Sequence, residues 1–397
     1  MPGHLEKRSD KSWTIVIDIG RDPLNENKRK RIYKAFKGTK REAEKELARL
    51  IAEVEKGTYI EPTKMTFGEY ALEWLEDYGK LKLAATTYRR YKQIIELRVV
   101  PWIGAIPLSK LRPLHIQQFY KRLMEEGRLD GRQGQLSAGS IIYHQRVIHR
   151  ILEAAYKQEL IVKNVADLVE LPLPDDDDEK EGVAFLDDEQ IRTLEAAAKD
   201  TPYYALIFTD VRTGLRRGEL LALRWQDIDM AAGTLSVRQS LAYTKELGIF
   251  FKTPKNKKSR RTIDISDEVM AVLRQHRKAQ FESKLALGNQ YEDNDLVFCQ
   301  HNGKPMHPDT VSSWFPAFLE RIGLPQLNFH CLRHTHASLL LAAGVDIKVI
   351  SERLGHSSIR ITYDTYSHLL PAAQKEAVNR LEKLLQTDLG DNWAAKR

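Results

Sequence analysis

Residues 213–225 read TGLRRGELLALRW, and this stretch has the pattern of a turn followed by a helix. Gly214 permits a tight turn just before the helix, because glycine has no side chain to restrict φ. The turn would place Arg216 near the helix N-terminus, where backbone N–H groups favour anions. Glu219 lies three residues further on and is close enough on the helix to orient the Arg216 guanidinium. The stretch therefore predicts an arginine that is held ready to bind an anion.

Three more motifs follow in the same half of the chain. They are the basic stretch KTPKNKKSRRT at 252–262, HCLRHTHA at 330–337, and LGHSS at 354–358, with Tyr366 ten residues after His356. His330 and Arg333 are separated by three residues and so share one helical face. Taken singly, each motif has an ordinary structural explanation, such as a surface arginine, a histidine that caps a helix, or a packed aromatic ring.

The histidines of the 330–337 motif raise the question of a metal site. Structural zinc sites usually add a cysteine pair or an acidic ligand to their histidines. No such ligand accompanies His330, His334 and His336 at metal-site spacing, and Cys331 would point away from the face shared by His330 and Arg333. The sequence therefore predicts no bound metal.

The composition is that of a globular protein that acts inside the cell. The chain has 397 residues, enough for two or three domains, with 42% hydrophobic and 29% charged residues, which excludes disorder as the main state. It has no apolar run long enough to span a bilayer and no signal peptide. Its two cysteines form no disulfide framework. We therefore expect a cytoplasmic protein.

The N-terminal residues 1–62 have the pattern of a small basic module. Eight of the fourteen residues from Lys28 to Arg41 are lysine or arginine, although the net charge of the whole chain is only +7. We expect strands at 12–19 and 31–36, followed by a helix that begins at a Thr39–Glu42 capping box. The basic strands indicate a sheet that lies against a polyanion, and the alternative is a solvated hairpin.

Helices dominate the rest of the chain, which divides at an acidic linker. Residues 66–168 are expected to form a helical bundle, in which the helix from Thr87 ends before Pro101. Residues 171–183 contain two prolines and a run of acidic residues that keep the chain extended, so we interpret them as a linker. Beyond the linker we expect a mostly helical domain over 184–385, with strands at 233–239 and 261–265, and a tail at 386–397.

Together, the ordered motifs Thr-Gly-Leu-Arg, Lys, His-x-Leu-Arg-His, Gly-His and Tyr resemble those of the tyrosine recombinase, or phage integrase, family. The resemblance covers nearly the whole chain. It implies a multidomain, mainly α fold with small β elements: an arm-type DNA-binding domain of three strands and a helix at 1–62, a helical, SAM-like core-binding domain at 66–168, and a mixed α/β, mostly α catalytic domain at 184–385.

The resemblance also implies a role for each matching residue. The catalytic set is Arg216, Lys255, His330, Arg333, His356 and Tyr366. Tyr366 corresponds to the nucleophile, His330 to the general base, and Lys255 to the general acid, with Lys257 as its rival. The lysine is the least secure match, because Asp264 stands where the family usually has proline. Tyr363 is too close to His356 to fit the family's spacing.

The implied reaction cuts and rejoins DNA strands through a 3′-phosphotyrosine intermediate, and it integrates or excises a mobile element. No metal, ATP or other cofactor is expected. The implied partners are core-type and arm-type DNA sites, three further copies of the chain in a tetramer, an excisionase and a host DNA-bending protein. The residues expected to contact DNA are Lys28, Arg29, Lys30, Arg31, Lys34, Arg89, Arg90, Lys92, Arg146, Arg150, Lys257 and Arg260.

Three other functions compete with this interpretation. A type IB topoisomerase would share the tyrosine and arginines, but the basic N-terminal module and the Gly-His to Tyr spacing favour an integrase. A DNA-binding regulator without activity would not need the complete set. A metal-dependent nuclease would need an acidic cluster outside the linker, and the sequence contains none.

Overall fold

The computed structural model describes residues 3–21, 29–56, 59, 64–128, 136–171, 184–254 and 259–367, with 378–379, 381–383 and 385 near the C-terminus. The chain forms two compact units, Met1–Asp175 and Asp176–Arg397. Most of the expected linker, the tail, and the lysines Lys28, Lys255 and Lys257 lie outside the described residues. Within the described part, no helix has both the length and the apolar character needed to cross a membrane.

The first unit begins with an antiparallel three-stranded sheet covered by one helix. The elements are β1 (Gly3–Ser9), β2 (Ser12–Arg21), β3 (Arg29–Lys37) and α1 (Lys40–Glu55), with strand order β1-β2-β3. Thr39 and Glu42 form the expected capping box at the start of α1. Ile15 and Ile17 of β2 and Leu50 of α1 are buried in the small core between sheet and helix.

The remainder of the first unit is a set of helices with its own, larger hydrophobic core. The α-helices are α2 (Phe67–Trp74), α3 (Lys80–Lys82), α4 (Ala85–Ile94), α5 (Val100–Ile103), α6 (Pro113–Glu126) and α7 (Ala138–Lys157). Single π-helical turns at Leu75–Gly79 and Ile95–Val99 join α2 to α3 and α4 to α5, and 3₁₀ turns lie at Leu108–Lys110 and Val165–Leu168.

The helix expected to end before Pro101 continues to Ile103, so that boundary was wrong. Pro101 is the second residue of α5, directly after the π turn at Ile95–Val99. Pro101 has no N–H to donate within the helix, and the π turn directly before it, in which the N–H of Val100 donates to the carbonyl of Ile95, widens the helix at this point. The π turn thus makes room for the proline without ending the helical path.

The second unit is mostly helical. Its helices are α8 (Asp188–Ala198), α9 (Tyr204–Thr213), α10 (Arg217–Leu220), α11 (Asp267–Leu287), α12 (Pro308–Arg321), α13 (Cys331–Ala342), α14 (Ile347–Leu354) and α15 (Ile359–Tyr366), with 3₁₀ turns at Trp225–Asp227 and Gly288–Gln290. Every residue from Ala205 to Val211 of α9 is buried. A helix that is buried on all sides has little freedom to move, so α9 fixes the turn that follows it.

The second unit also contains two small antiparallel sheets. The strands are β4 (Ile228–Asp229), β5 (Thr234–Val237) and β8 (Arg261–Asp264) in one sheet of order β4-β5-β8, and β6 (Ser240–Thr244) with β7 (Gly248–Lys252) in a hairpin. The strands expected at 233–239 and 261–265 correspond to β5 and β8. The hairpin was not predicted from the residues, although Gly248, which closes its turn with φ +66°, is a usual turn residue.

Candidate active site

Gly214 forms the turn that positions the first arginine. It ends α9 with φ +61°, and a Cβ atom here would lie 2.5 Å from Cδ2 of His336. Only glycine satisfies both the backbone conformation and this close approach. Arg216 follows at the N-cap of α10, where Glu219 accepts hydrogen bonds from its backbone N–H at 3.1 Å and from its Nη1 at 2.8 Å. The expected turn and the expected contact with Glu219 are both present.

The C-terminal end of α14 collects three arginines from three different elements. Three consecutive carbonyls accept hydrogen bonds: that of Arg353 from Nε of Arg261 at 2.6 Å, that of Leu354 from Nη2 of Arg333 at 2.6 Å, and that of Gly355 from Nη2 of Arg216 at 3.1 Å. The last carbonyls of a helix have no intrahelical donor and carry the negative end of its dipole, so they attract cations. The helix end therefore holds the guanidiniums of Arg216 and Arg333 next to each other.

Glu219 is the buried carboxylate that joins two of these arginines. Its side chain is 5% exposed and accepts from Nη2 of Arg261 at 3.0 Å as well as from Arg216. Burial alone would raise the pKa of Glu219, but Arg261 and then Arg216 hold that pKa below its ordinary value. The carboxylate is therefore ionised at neutral pH and fixes both guanidiniums.

Arg333 is the most deeply buried cation of the group. It is 2% exposed, and its Nη1 donates to the carbonyl of Gly214 at 2.7 Å. Burial, with Arg216 as the next cause, lowers the pKa of Arg333 to about 9, which still leaves the side chain charged at neutral pH. Two cations that repel each other and are partly withdrawn from water form a strong binding site for an anion.

His356 faces the same group of charges. It follows Gly355, which ends α14 with φ +67°, and its Nδ1 is hydrogen-bonded to the hydroxyl of Thr362 at 2.7 Å. Burial, followed by the charges of Arg333 and Arg216, lowers the pKa of His356 to about 4. The ring is therefore neutral near pH 7, and the bond to Thr362 fixes its orientation.

The two tyrosines of α15 have opposite surroundings. Tyr366 is 2% exposed and packs with Leu354 of α14 and with Ala337 and Leu341 of α13. Tyr363 is 56% exposed. Burial raises the pKa of Tyr366 to about 12, although the charge of Arg333 opposes the shift. Tyr366 is thus the tyrosine that the fold turns toward the arginines.

The hydroxyl of Tyr366 contacts a histidine that the sequence interpretation gave no role. The Oη atom lies 2.8 Å from Nδ1 of His334, and His330 stacks edge-on against His334 with ring centroids 4.8 Å apart. Burial, then the neighbouring His330 and Arg333, lowers the pKa of His334 to about 4. His330 lies at the N-cap of α13, and although the residue is exposed, desolvation by the surrounding atoms and then the charge of Arg333 lower its pKa as well.

The third histidine of the motif is structural. Nδ1 of His336 donates to the carbonyl of Val211 at 2.9 Å, and Nε2 accepts from Nε of Arg353 at 3.1 Å. His336 therefore connects α13 to α9 and α14 through these two hydrogen bonds, and neither of its ring nitrogens is bonded to Arg216 or Arg333. Cys331 is buried in the hydrophobic core, and the described residues contain no group of side chains suited to hold a metal ion.

The residues expected to contact DNA have varied surroundings. Lys34 faces α1, where its Nζ donates to Glu46 at 2.8 Å, whereas Arg31 lies exposed on the other face of β3. Arg90 stacks on the ring of Tyr143, and Arg150 lies over the ring of Tyr78. Arg89 is partly exposed, whereas Arg90, Lys92, Arg146 and Arg260, like Arg31, are exposed. Lys28 and Lys257 are outside the described residues, and for Arg29 and Lys30 only the backbone in β3 is described.

Two residues of the site were missed. Arg261 was noted as part of a strand and as the arginine of the family's Arg-x-x-Pro segment, without a role, and His334 only as a possible metal ligand. The sequence feature that could have identified His334 as a site residue is its spacing of four residues from His330, which places both side chains on one helical face. The match of Arg261 to the arginine of the family's Arg-x-x-Pro segment set it apart from the other cations of the 252–262 stretch, but it indicated no role.

Comparison with known proteins gives the same family over most of the chain. Residues 184–373 match the phage integrase family, and residues 66–124 match the phage integrase N-terminal SAM-like domain. A XerC-like tyrosine recombinase of Caldanaerobacter subterraneus subsp. tengcongensis is 28% identical over 95% of this chain and 97% of its own length. The ICEBs1 integrase of Bacillus subtilis is 30% identical over 75% of this chain and 78% of its own.

Solved structures show the same fold. The Tn1549 transposon integrase in complex with a circular intermediate DNA superposes with a TM-score of 0.68 at 20% identity, covering 80% of this chain and 99% of that one. Lambda integrase, solved as a tetramer bound to a Holliday junction, gives 0.54 at 18% identity, covering 91% and 94%. The chain belongs to the phage integrase family of tyrosine recombinases, enzymes that cut and rejoin DNA strands in site-specific recombination.

Proposed function

We propose that this recombinase is the integrase of a mobile element and that it cleaves DNA with Tyr366, using Arg216 and Arg333 to hold the scissile phosphate. The observation that carries the proposal is the end of α14, where neighbouring carbonyls bind both guanidiniums. Tyr366 packs against the same helix and faces the charge of Arg333. Several of the similar proteins are integrases or transposases of mobile elements, which supports integration and excision as the overall reaction.

The arginines answer the main difficulty of the reaction. A phosphodiester resists nucleophiles because its two non-bridging oxygens are negative, and further charge develops on them during attack. Guanidiniums bind such oxygens in a bidentate, charge-assisted way and stay protonated. Donors fixed before the substrate arrives stabilise the transition state without a cost of reorganisation. The carbonyls of α14 and the carboxylate of Glu219 provide that fixation here.

Proton transfer is the second requirement. With a pKa of about 12, Tyr366 is ionised in only about one molecule in 10⁵ at pH 7, so attack needs a proton acceptor. His356 would donate a hydrogen bond to the phosphate. The leaving 5′ oxygen would take its proton from Lys255 or Lys257. The product would be a 3′-phosphotyrosyl bond, which conserves the energy that rejoining needs.

The remaining roles follow the family's organisation. Residues 1–62 would bind arm-type sites and residues 66–168 core-type sites, with residues 171–183 as the linker to the catalytic domain. Four copies would act together, as lambda integrase does on a Holliday junction. An excisionase and a host DNA-bending protein would control direction. The reaction would take place in the cytoplasm, where the chromosome is accessible.

The test is a covalent trapping experiment. The full chain is incubated with a nicked duplex carrying the joined ends of its mobile element, in EDTA and without ATP. We expect a protein–DNA adduct that survives denaturation, is absent with Tyr366→Phe, and persists with the exposed control Tyr363→Phe. If Tyr366→Phe still forms the adduct, or if the unaltered chain binds the duplex but forms none, the proposal is wrong.

A further inference from the structure

The hydroxyl of Tyr366 has a single described partner, and that partner is His334. Oη lies 2.8 Å from Nδ1, a normal length for an O–H···N hydrogen bond. The tyrosine ring is 2% exposed and packs among side chains of α13 and α14, so the position of Oη is fixed by packing as well as by this bond. His334 is fixed in turn, because it lies within α13 with the ring of His330 against it.

His330 occupies a different place. It is the N-cap residue of α13, one helical turn before His334, and it is exposed. Among the described residues, its ring contacts His334, and no hydrogen bond joins it to Tyr366. A general base must lie within hydrogen-bonding distance of the proton it removes. His334 meets this requirement in the structure at 2.8 Å, whereas His330 makes no hydrogen bond to Tyr366 among the described residues.

On these distances, we propose that His334 accepts the proton of Tyr366 during strand cleavage, in the role that the sequence predicts for His330. The inference rests on the proposed function, since it assumes that Tyr366 is the nucleophile. When the neutral His334 ring carries its proton on Nε2, Nδ1 has a free lone pair and the phenol donates to it. Burial favours this state, because it lowers the pKa of His334 and raises that of Tyr366.

The step balances as a proton transfer coupled to substitution at phosphorus. A lone pair of Tyr366 Oη forms the new O–P bond while its proton moves to Nδ1 of His334. The P–O5′ bond breaks, and the 5′ oxygen keeps the electron pair and takes a proton from the lysine acid. During rejoining the 5′ hydroxyl attacks phosphorus and gives its proton back to the neutral lysine, while the His334 imidazolium returns its proton to the departing phenolate.

The charges around His334 explain why the proton transfer from Tyr366 becomes favourable only when the DNA is bound. His330 and Arg333 of α13, His356 after α14, and Tyr366 of α15 surround the ring. In this positive surrounding an imidazolium is disfavoured. A bound phosphodiester adds negative charge beside Arg333 and His356, which raises the proton affinity of His334 when the nucleophile needs it.

The test compares the rate of covalent complex formation with pH, on the nicked duplex and in a single turnover. His334→Asn keeps a polar group near the position of Nδ1 but cannot accept a proton, and His330→Asn is the matched comparison one turn earlier. For His334→Asn we expect a rate about 100-fold lower at pH 7 that rises about tenfold for each pH unit, as phenolate forms without help. His330→Asn should keep the pH profile of the unaltered chain.

A second measurement separates proton transfer from positioning. Added imidazole should restore part of the activity of His334→Ala, in proportion to the free base, because the cavity can admit the missing group. His334→Gln replaces His334→Asn if the latter does not fold, as judged by its melting curve and DNA affinity.

The proposal is overturned if His334→Asn keeps the original rate and pH profile, if it cleaves faster because the bond only restrained the tyrosine, or if the changed profile belongs to His330→Asn. These results leave the proposed function intact. That function fails separately, if the adduct survives Tyr366→Phe.

Discussion

Arg261 is the residue whose removal would test how the site is held together. It contacts no substrate in the proposed mechanism, yet its side chain is 7% exposed and joins Glu219 to the carbonyl of Arg353. Glu219 in turn fixes Arg216. Arg261 is therefore a positioning residue, and its influence on the phosphate passes through a buried carboxylate.

Arg261→Gln should destabilise the protein and slow cleavage. Glu219 would lose one of two cationic partners while remaining buried, and an underpaired buried polar group costs about 1–3 kcal/mol of unfolding free energy. Arg216 would lose part of its orientation, so cleavage should fall about tenfold or more at saturating DNA. Urea melts and adduct formation measure the two effects. The control is Arg274→Gln on the exposed face of α11, and equal behaviour of the two variants would refute the argument.

At the residue scale, the sequence predicts the role of a residue when that role depends on residues close to it in the chain. It does not predict the role when tertiary packing determines which side chains meet. The contact between Arg216 and Glu219 could be predicted, because Arg216 follows a glycine turn and Glu219 lies three residues later in the same helix. His334 and His336 lie two residues apart in one motif, and only the packing of α15 and α14 shows that one meets Tyr366 and the other Arg353. Arg261 matches an arginine of the family's pattern, but only the packing of β8 against α14 shows that it joins Glu219 to the carbonyl of Arg353.

Among the elements, α14 has the largest effect on the site for its length. Its last turn ends at Gly355 in the left-handed conformation, and the N–H of His356 closes it by donating to the carbonyl of Ser351 at 3.0 Å. This ending is what exposes three carbonyls toward the arginines. The C-terminal ending of α14 thus determines the geometry of the proposed phosphate site.

Gly355→Ala should disturb this ending more than an ordinary glycine substitution. A Cβ atom at Gly355 would lie 2.8 Å from Nη1 of Arg261, a side chain that is pinned at both ends. Gly323→Ala is the matched control, since Gly323 also has a positive φ, +76°, but no atom lies within 4 Å of the added carbon. We expect a loss of about 1–2 kcal/mol for the control, from the backbone conformation alone.

For Gly355→Ala we expect a loss of about 2–4 kcal/mol, together with a clear fall in adduct formation that the control does not show. Denaturant melts and the trapping assay on both variants provide the comparison. Equal stability and equal activity of the two variants would mean that the carbonyls of α14 do not position the arginines.

The start of a helix could be predicted from the sequence where a local motif, such as a capping box, marks it. The capping boxes at Thr39 and Thr66 mark the starts of α1 and α2. The path through Pro101 was not predictable, because it depends on a π turn that no residue type announces. The β6–β7 hairpin was missed although Gly248, with φ +66° at the start of β7, provides a local turn signal between its strands.

At the scale of the whole molecule, the two units differ in their sensitivity to acid. Among the described residues, the pKa is lowered by burial for His276, His330, His334, His336 and His356 of the second unit, and for His144 of the first. A histidine that is buried neutral resists protonation in the folded state, whereas the unfolded chain takes up the proton near its ordinary pKa. Through these histidines, acid favours unfolding of the second unit more than of the first, whereas carboxylates such as Glu46 of the first unit, whose pKa is lowered to about 2, lose their contribution only at lower pH.

His336, which is 4% exposed, is a clear case of a buried neutral histidine that lowers stability in acid. Its pKa is about 4 in the folded protein against 6.5 ordinarily. Its stabilising contribution is complete above pH 6.5 and is lost as the pH falls toward 4, which amounts to about 3 kcal/mol. Asp210 acts in the opposite direction, since burial raises its pKa, so a variant must isolate the histidine.

His336→Gln should therefore lower stability at pH 7.5, where the bonds to Val211 and Arg353 are altered, and should also flatten the decline between pH 6.5 and 4.5. Calorimetric unfolding of the full chain across this range measures both effects, with the exposed His301→Gln as the control that should retain the original decline. An unchanged decline in His336→Gln would show that His336 is protonated in the folded protein as readily as in the unfolded one.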